Sequence, residues 1–191
     1  MSQIIENATF ETVTLKNPRN GKFETVEAPL LLVHKCSAPF GVELDSIYSP
    51  LPVFAGGTDP RKHLAVQLEL TEEAAEGFRR LDDACLAQSK HAGAWSPLVT
   101  LRDGRQFIKA RINIEGDRLS TFSVDGSELL TGWEHFQSVL TTCGNLKGAD
   151  LKAAITAQYV WSVSGKRGLT LGIEQLTIQK AEPRELIDHF A

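Results

Sequence analysis

Phe107-Ile108-Lys109-Ala110-Arg111-Ile112-Asn113-Ile114 alternates apolar and polar side chains with a period of two, the pattern of a half-buried β-strand. Ile108, Ala110, Ile112 and Ile114 are expected to face a core, which leaves Phe107, Lys109 and Arg111 on the other face. A π-face beside two cations is what a single-stranded nucleic acid requires, because bases stack on the ring and phosphates pair with the charges. The same alternation also suits an ordinary solvated face with one stray Phe.

The segments around this run have their own signatures. Upstream, His63 to Leu70 alternates in the same way, with Leu64, Val66, Leu68 and Leu70 on one face. Thr71 then offers an N-cap oxygen, Glu72 and Glu73 suit the positive end of a helix dipole, and Ala74, Phe78, Leu81 and Cys85 share one helical face. A helix is predicted over 72–88, with Glu72, Glu73, Glu76, Asp82 and Asp83 solvated. The Asp103-Gly104 pair predicts a tight turn into the 107–114 strand.

Farther out, a strand is expected from Arg118 to Val124 and a short helix around 132–141. Lys152 to Val163 and Gly168 to Gln179 read as a hairpin about Ser164-Gly165-Lys166-Arg167. At the other end, Thr9 to Leu15 and Phe23 to Val33 read as two antiparallel strands across the turn-rich Asn17-Pro18-Arg19-Asn20-Gly21. Ser37 to Pro60 holds Pro39, Pro50, Pro52, Pro60 and the Gly56-Gly57 pair, so an irregular connection is expected there.

The 191 residues suit a single domain, assigned to 1–180, with a short acidic tail at 181–191. No apolar run approaches the roughly 20 residues of a membrane span. The start Met1-Ser2-Gln3-Ile4-Ile5-Glu6 lacks a signal-peptide pattern, so an intracellular protein with no membrane partner is expected. Cys36, Cys85 and Cys143 are too far apart for a CxxC pair and are expected to be reduced, buried thiols. The net charge of −4 is uneven: residues 1–89 carry 8 Lys and Arg against 13 Asp and Glu, and residues 90–180 carry 11 against 8. A basic second half is compatible with an electrostatic binding stripe.

Catalytic signatures are missing. The five His residues form no His-x3-His pair, and no zinc spacing, nucleophile elbow or dinucleotide fingerprint occurs. Gly165-Lys166 lacks the upstream glycine and the Ser or Thr of a phosphate-binding loop. Neither an enzyme, a metal site nor a cofactor is expected.

Ile155, Ala157, Tyr159, Trp161 and Val163 fall on one face of a regular strand, where Tyr159 and Trp161 could either fill a barrel interior or stack bases. The run Ala157-Gln158-Tyr159-Val160-Trp161, with Gly165-Lys166-Arg167-Gly168-Leu169-Thr170-Leu171 after it, resembles the final strands of bacteriophage-type single-stranded DNA-binding proteins. His63–Leu70 with its following helix, and Ser96-Pro97-Leu98-Val99 with the Asp103-Gly104 turn and Phe107–Arg111, are similar to earlier segments of that family in the same order. The resemblance covers about residues 60–180. The end Glu185-Leu186-Ile187-Asp188-His189-Phe190-Ala191 departs from the long acidic tail of better-known members.

The resemblance implies a mainly β, OB-fold-like five-stranded barrel with one inserted helix and an extra N-terminal hairpin. It implies sequence-tolerant binding of single-stranded DNA in replication, recombination or repair, with replication or recombination proteins as further partners. A phage-encoded chain would work in the host cytoplasm. Arg102, Arg105, Lys109, Arg111, Lys166 and Arg167 would hold phosphates; Phe107, Tyr159 and Trp161 would stack bases. Lys62, Arg118 and Trp95 are secondary candidates. The acidic total charge keeps open a β-rich module for protein interaction or virion assembly, and a weaker option is a nuclease with carboxylate-held magnesium.

Overall fold

The two alternating runs pair with each other. His63–Leu70 and Arg105–Asn113 lie antiparallel in unbroken register, from His63 opposite Asn113 to Leu70 opposite Gln106. A computed structural model describes residues 13–16, 23–43, 63–114 and 119–179. In chain order the strands before the first helix are β1 (Thr14–Lys16), β2 (Phe23–Glu27), β3 (Leu31–Ser37), β4 (Val42–Glu43) and β5 (His63–Leu70). Helix α1 (Glu72–Gln88) leads to β6 (Ala94–Ser96), β7 (Thr100–Arg102), β8 (Arg105–Asn113), β9 (Thr121–Val124) and β10 (Leu130–Thr131). Helix α2 (Trp133–Thr142) precedes the long β11 (Asp150–Val163) and β12 (Lys166–Gln179).

The fold is mainly β, as expected. Strands β3, β5, β8, β12 and β11 close into a ring, antiparallel except for the parallel β8–β12 contact. The N-terminal pair β1–β2 is antiparallel and adds to β11. Inside the ring, Leu64, Val66 and Leu68 meet Ile108, Ala110 and Ile112, all essentially buried. Phe78 and Leu81 on α1 are fully buried against this core, each contributing about 1.5–3 kcal/mol. At another edge Phe136 of α2 stacks on Phe122 of β9, with centroids 4.4 Å apart.

Local chemistry sets the element boundaries. Thr71 caps α1, its hydroxyl accepting from the Ala74 amide at 3.3 Å. Asp103 and Gly104 have φ of 51° and 74°, the doubly left-handed turn that suits a two-residue hairpin. The Phe23–Val33 run is two strands, because Pro29 cannot donate to a ladder and breaks it between β2 and β3. The strand expected over 118–124 is described only as Thr121–Val124. Residues 9–12, the 17–21 turn and most of the 37–60 connection lie outside the described residues.

Asp82 corrects the expectation of a wholly solvated acidic helix face. It is 8% exposed. Its carboxylate accepts from Trp95 Nε1 at 2.8 Å and from the Leu98 amide at 2.9 Å, tying the segment after α1 back onto the helix. Burial pushes its pKa up, against the two hydrogen bonds, which favour the charged form. Asp82→Ala leaves both donors without their acceptor, and a stability loss of about 1–3 kcal/mol per donor is expected by urea denaturation. An unchanged urea midpoint would show that other contacts hold the segment.

Cys36 and Cys85 are buried, and burial, reinforced by nearby carboxylates, pushes each thiol up to about 12. Cys143 is half-buried. Among the described residues no helix is long and apolar enough to cross a membrane, and no three His, Cys, Asp or Glu side chains gather into a metal-holding group.

Candidate nucleic-acid interface

Strand β11 begins as an ordinary alternating strand. Leu151, Ala153, Ile155 and Ala157 point into the core. A bulge then intervenes: Ala157 pairs with Leu171 but Tyr159 with Thr170, so Gln158 is an extra residue. Its side chain lies across Gly172, where a Cβ would fall 2.2 Å from Gln158 Nε2 and the flexible amide end would have to shift. Beyond the bulge Val160 takes the core position, fully buried, and Tyr159 and Trp161 turn outward, each half-buried. The expectation that Ile155, Ala157, Tyr159, Trp161 and Val163 share one face is therefore wrong. One inserted residue shifts the period and brings both large rings out of the interior.

The outward rings form one wall of a groove of about 560 Å³. Phe23 of β2 sits opposite Trp161 in register and contacts Tyr159 edge-on, with centroids 5.0 Å apart. Phe23 points outward because its neighbours Glu24 and Val26 point inward, Glu24 accepting from Ser89 Oγ at 2.6 Å and the Lys90 amide at 2.8 Å. Trp161 lies across Gly168, where a Cβ would come within 2.8 Å of the ring. Leu169 and Thr170 of β12 line the same groove, with Val163 at its rim.

The cations enter from β8. Lys109 and Arg111 line the groove, and the Arg111 guanidinium donates to the Tyr159 hydroxyl with its carbon 5.5 Å from that ring. Four of the expected residues, Lys109, Arg111, Tyr159 and Trp161, thus come together. Phe23, Val163, Leu169 and Thr170 were not foreseen. The one legible signal for Phe23 is an alternation that places a Glu, not the Phe, on the side of Val26.

The other expected residues stand apart from the groove lining. Phe107 is on the outer face, as its alternation requires, but it is 2% exposed. Phe40, in the turn after β3, covers it at a centroid distance of 5.7 Å, and the Arg105 guanidinium carbon lies 5.5 Å from its ring. Its expected exposure is overturned by a residue from a distant loop. Arg105 forms a two-point ion pair with Glu69, whose carboxyl it holds below the usual range. Arg167 donates to the Gly93 carbonyl at 3.0 Å and the Ser89 carbonyl at 3.3 Å while covering Trp95, so it fastens the segment after α1. Arg102 and Lys166 are exposed beside hairpin turns. Lys62 and Arg118 lie outside the described residues.

No family model matches the sequence, and no curated protein matches it. Solved structures do. The chain is similar to bacteriophage single-stranded DNA-binding proteins. The single-stranded DNA-binding protein of bacteriophage Enc34, in complex with single-stranded DNA, aligns over 91% of this chain and 98% of its own at 12% identity, with a TM-score of 0.49. The bacteriophage T7 single-stranded DNA-binding protein aligns over 83% of this chain and 96% of its own, also at 12% identity, with a TM-score of 0.45.

Proposed function

We propose that the chain binds single-stranded DNA with little sequence preference, in DNA replication, recombination or repair, and acts by binding without performing chemistry. The observation that carries this reading is the bulge at Gln158, which turns Tyr159 and Trp161 out of the core and onto the face of Lys109 and Arg111. Rings that could have filled the interior instead flank two cations across an open groove. Bases have a π-face whatever their identity, so stacking on Trp161, Tyr159 and Phe23 tolerates any sequence, and the β8 cations supply the attraction for phosphates. Replication or recombination proteins are the expected further partners.

A salt titration tests the electrostatic half of the proposal. Affinity for oligothymidylate should fall linearly on logarithmic axes, with a slope near −0.7 per phosphate neutralised. Lys109→Glu/Arg111→Glu should weaken binding and make the slope shallower by about 1.4 if both side chains meet phosphates. A double variant that keeps its fold by circular dichroism and binds with the parent's slope removes the β8 face from the site.

A further inference from the structure

Lys109 and Arg111 occupy only part of the outer face of β8, and the same face continues past them to Phe107 and Arg105. We propose that a single strand held in the groove runs on along this face to a second stacking platform, the ring of Phe40. The proposal rests on the reading of the groove as a single-stranded DNA site and extends it to a subsite on the turn after β3.

Phe40 is 53% exposed, in a turn whose backbone is held. The Gly41 amide closes the turn on the Ala38 carbonyl at 3.0 Å, and the Gly148 amide donates to the same carbonyl at 2.8 Å. Gly41 is left-handed, with φ of 70°, and a Cβ there would strike the Asn145 carbonyl oxygen at 2.6 Å. Asn145 Nδ2 in turn donates to the Val42 carbonyl at 3.2 Å. The turn backbone is thus held on both sides of Phe40 and Phe107 supports one side of its ring, so less conformational freedom is left to lose when a base stacks on it. Its inner side rests on the buried Phe107, which leaves the outer side for a ligand.

Charge and spacing select the occupant. Phe107 and Arg111 are four residues apart on one strand, about 13 Å, with Lys109 between them on the same face. Glu69, directly across from Phe107 on β5, is paired to Arg105, so its negative charge is offset where a phosphate chain would pass. A ring, a cation, a second cation and then the aromatic groove make a track suited to an extended polyanion that carries flat bases.

The test compares Phe40→Leu, Phe40→Trp and the parent on oligothymidylates of about 4 and about 16 nucleotides, the limits of site size for one such domain. Leu keeps an apolar cover over Phe107 but has no π-face, and the melting midpoint of each variant confirms that it is folded. Phe40→Leu should bind the long oligomer about 5- to 150-fold more weakly, the worth of one base stack, and the short one as the parent does. Phe40→Trp should bind both at least as well as the parent. Parental affinity of Phe40→Leu for the long oligomer, or equal losses on both lengths, overturns the platform and leaves the groove standing. Failure of the parent to bind either oligomer overturns the groove and the platform together.

Discussion

Tyr159→Ala/Trp161→Ala is expected to weaken oligothymidylate binding by about 2–6 kcal/mol, at about 1–3 kcal/mol for each lost stack. Both rings lie beyond the Gln158 bulge on the outer face, so Ala157 and Val160 keep their core positions in the variant. Fluorescence anisotropy of a labelled oligomer reads the affinity, and circular dichroism confirms the fold. Tyr159→Phe separates two contributions, because it keeps the ring and removes only the hydroxyl that accepts from Arg111. That variant should stay much closer to the parent. A double Ala variant with parental affinity would mean that the rings flank an empty groove.

Phe107→Ala acts on stability instead. Had the ring been exposed, the loss would be under about 0.5 kcal/mol. Buried beneath Phe40 and flanked by Arg105, it should cost about 3–5 kcal/mol, read from the urea midpoint at constant m-value. Phe40 relaxing into the space would bring the value toward the lower end. A loss below 1 kcal/mol would contradict the burial of Phe107 and restore it as a stacking candidate.

Much of the fold was legible because it depends on local periodicity and local chemistry. The 63–70 strand and the 72–88 helix match the expected bounds, since alternation, a Thr cap and an apolar helical face each act over a few residues. The Asp103-Gly104 turn and the 150–179 hairpin follow from backbone preferences in the same way. What was not legible depends on the partner strand or on a distant loop. Nothing in Ala157-Gln158-Tyr159 announces a bulge, because the extra residue is defined only by its pairing against β12. A strict period of two therefore assigned Tyr159 and Trp161 to the wrong face.

The site shows the same division. Lys109 and Arg111 could be read from the β8 alternation, whereas the cover that Phe40 gives Phe107 and the capture of Arg105 by Glu69 and of Arg167 by two carbonyls arise only when distant segments meet. Asp82 illustrates the point for a carboxylate. Its place in the helix looked solvated, and its burial is set by Trp95 and Leu98 on the following segment.

The most direct test of the groove as a single-stranded DNA site is a titration of intrinsic tryptophan fluorescence with poly-dT at low salt, run in parallel on the parent and on Trp161→Phe. Trp161 lines the groove whereas Trp95 is engaged with Asp82 and Arg167, so a saturable change is expected in the parent and should be largely lost in Trp161→Phe. Duplex DNA of equal length should compete weakly, because its paired bases cannot reach the rings. A parent that shows no saturable change and retains no oligomer by anisotropy at low salt, or one that is displaced as well by duplex as by single strands, would contradict it.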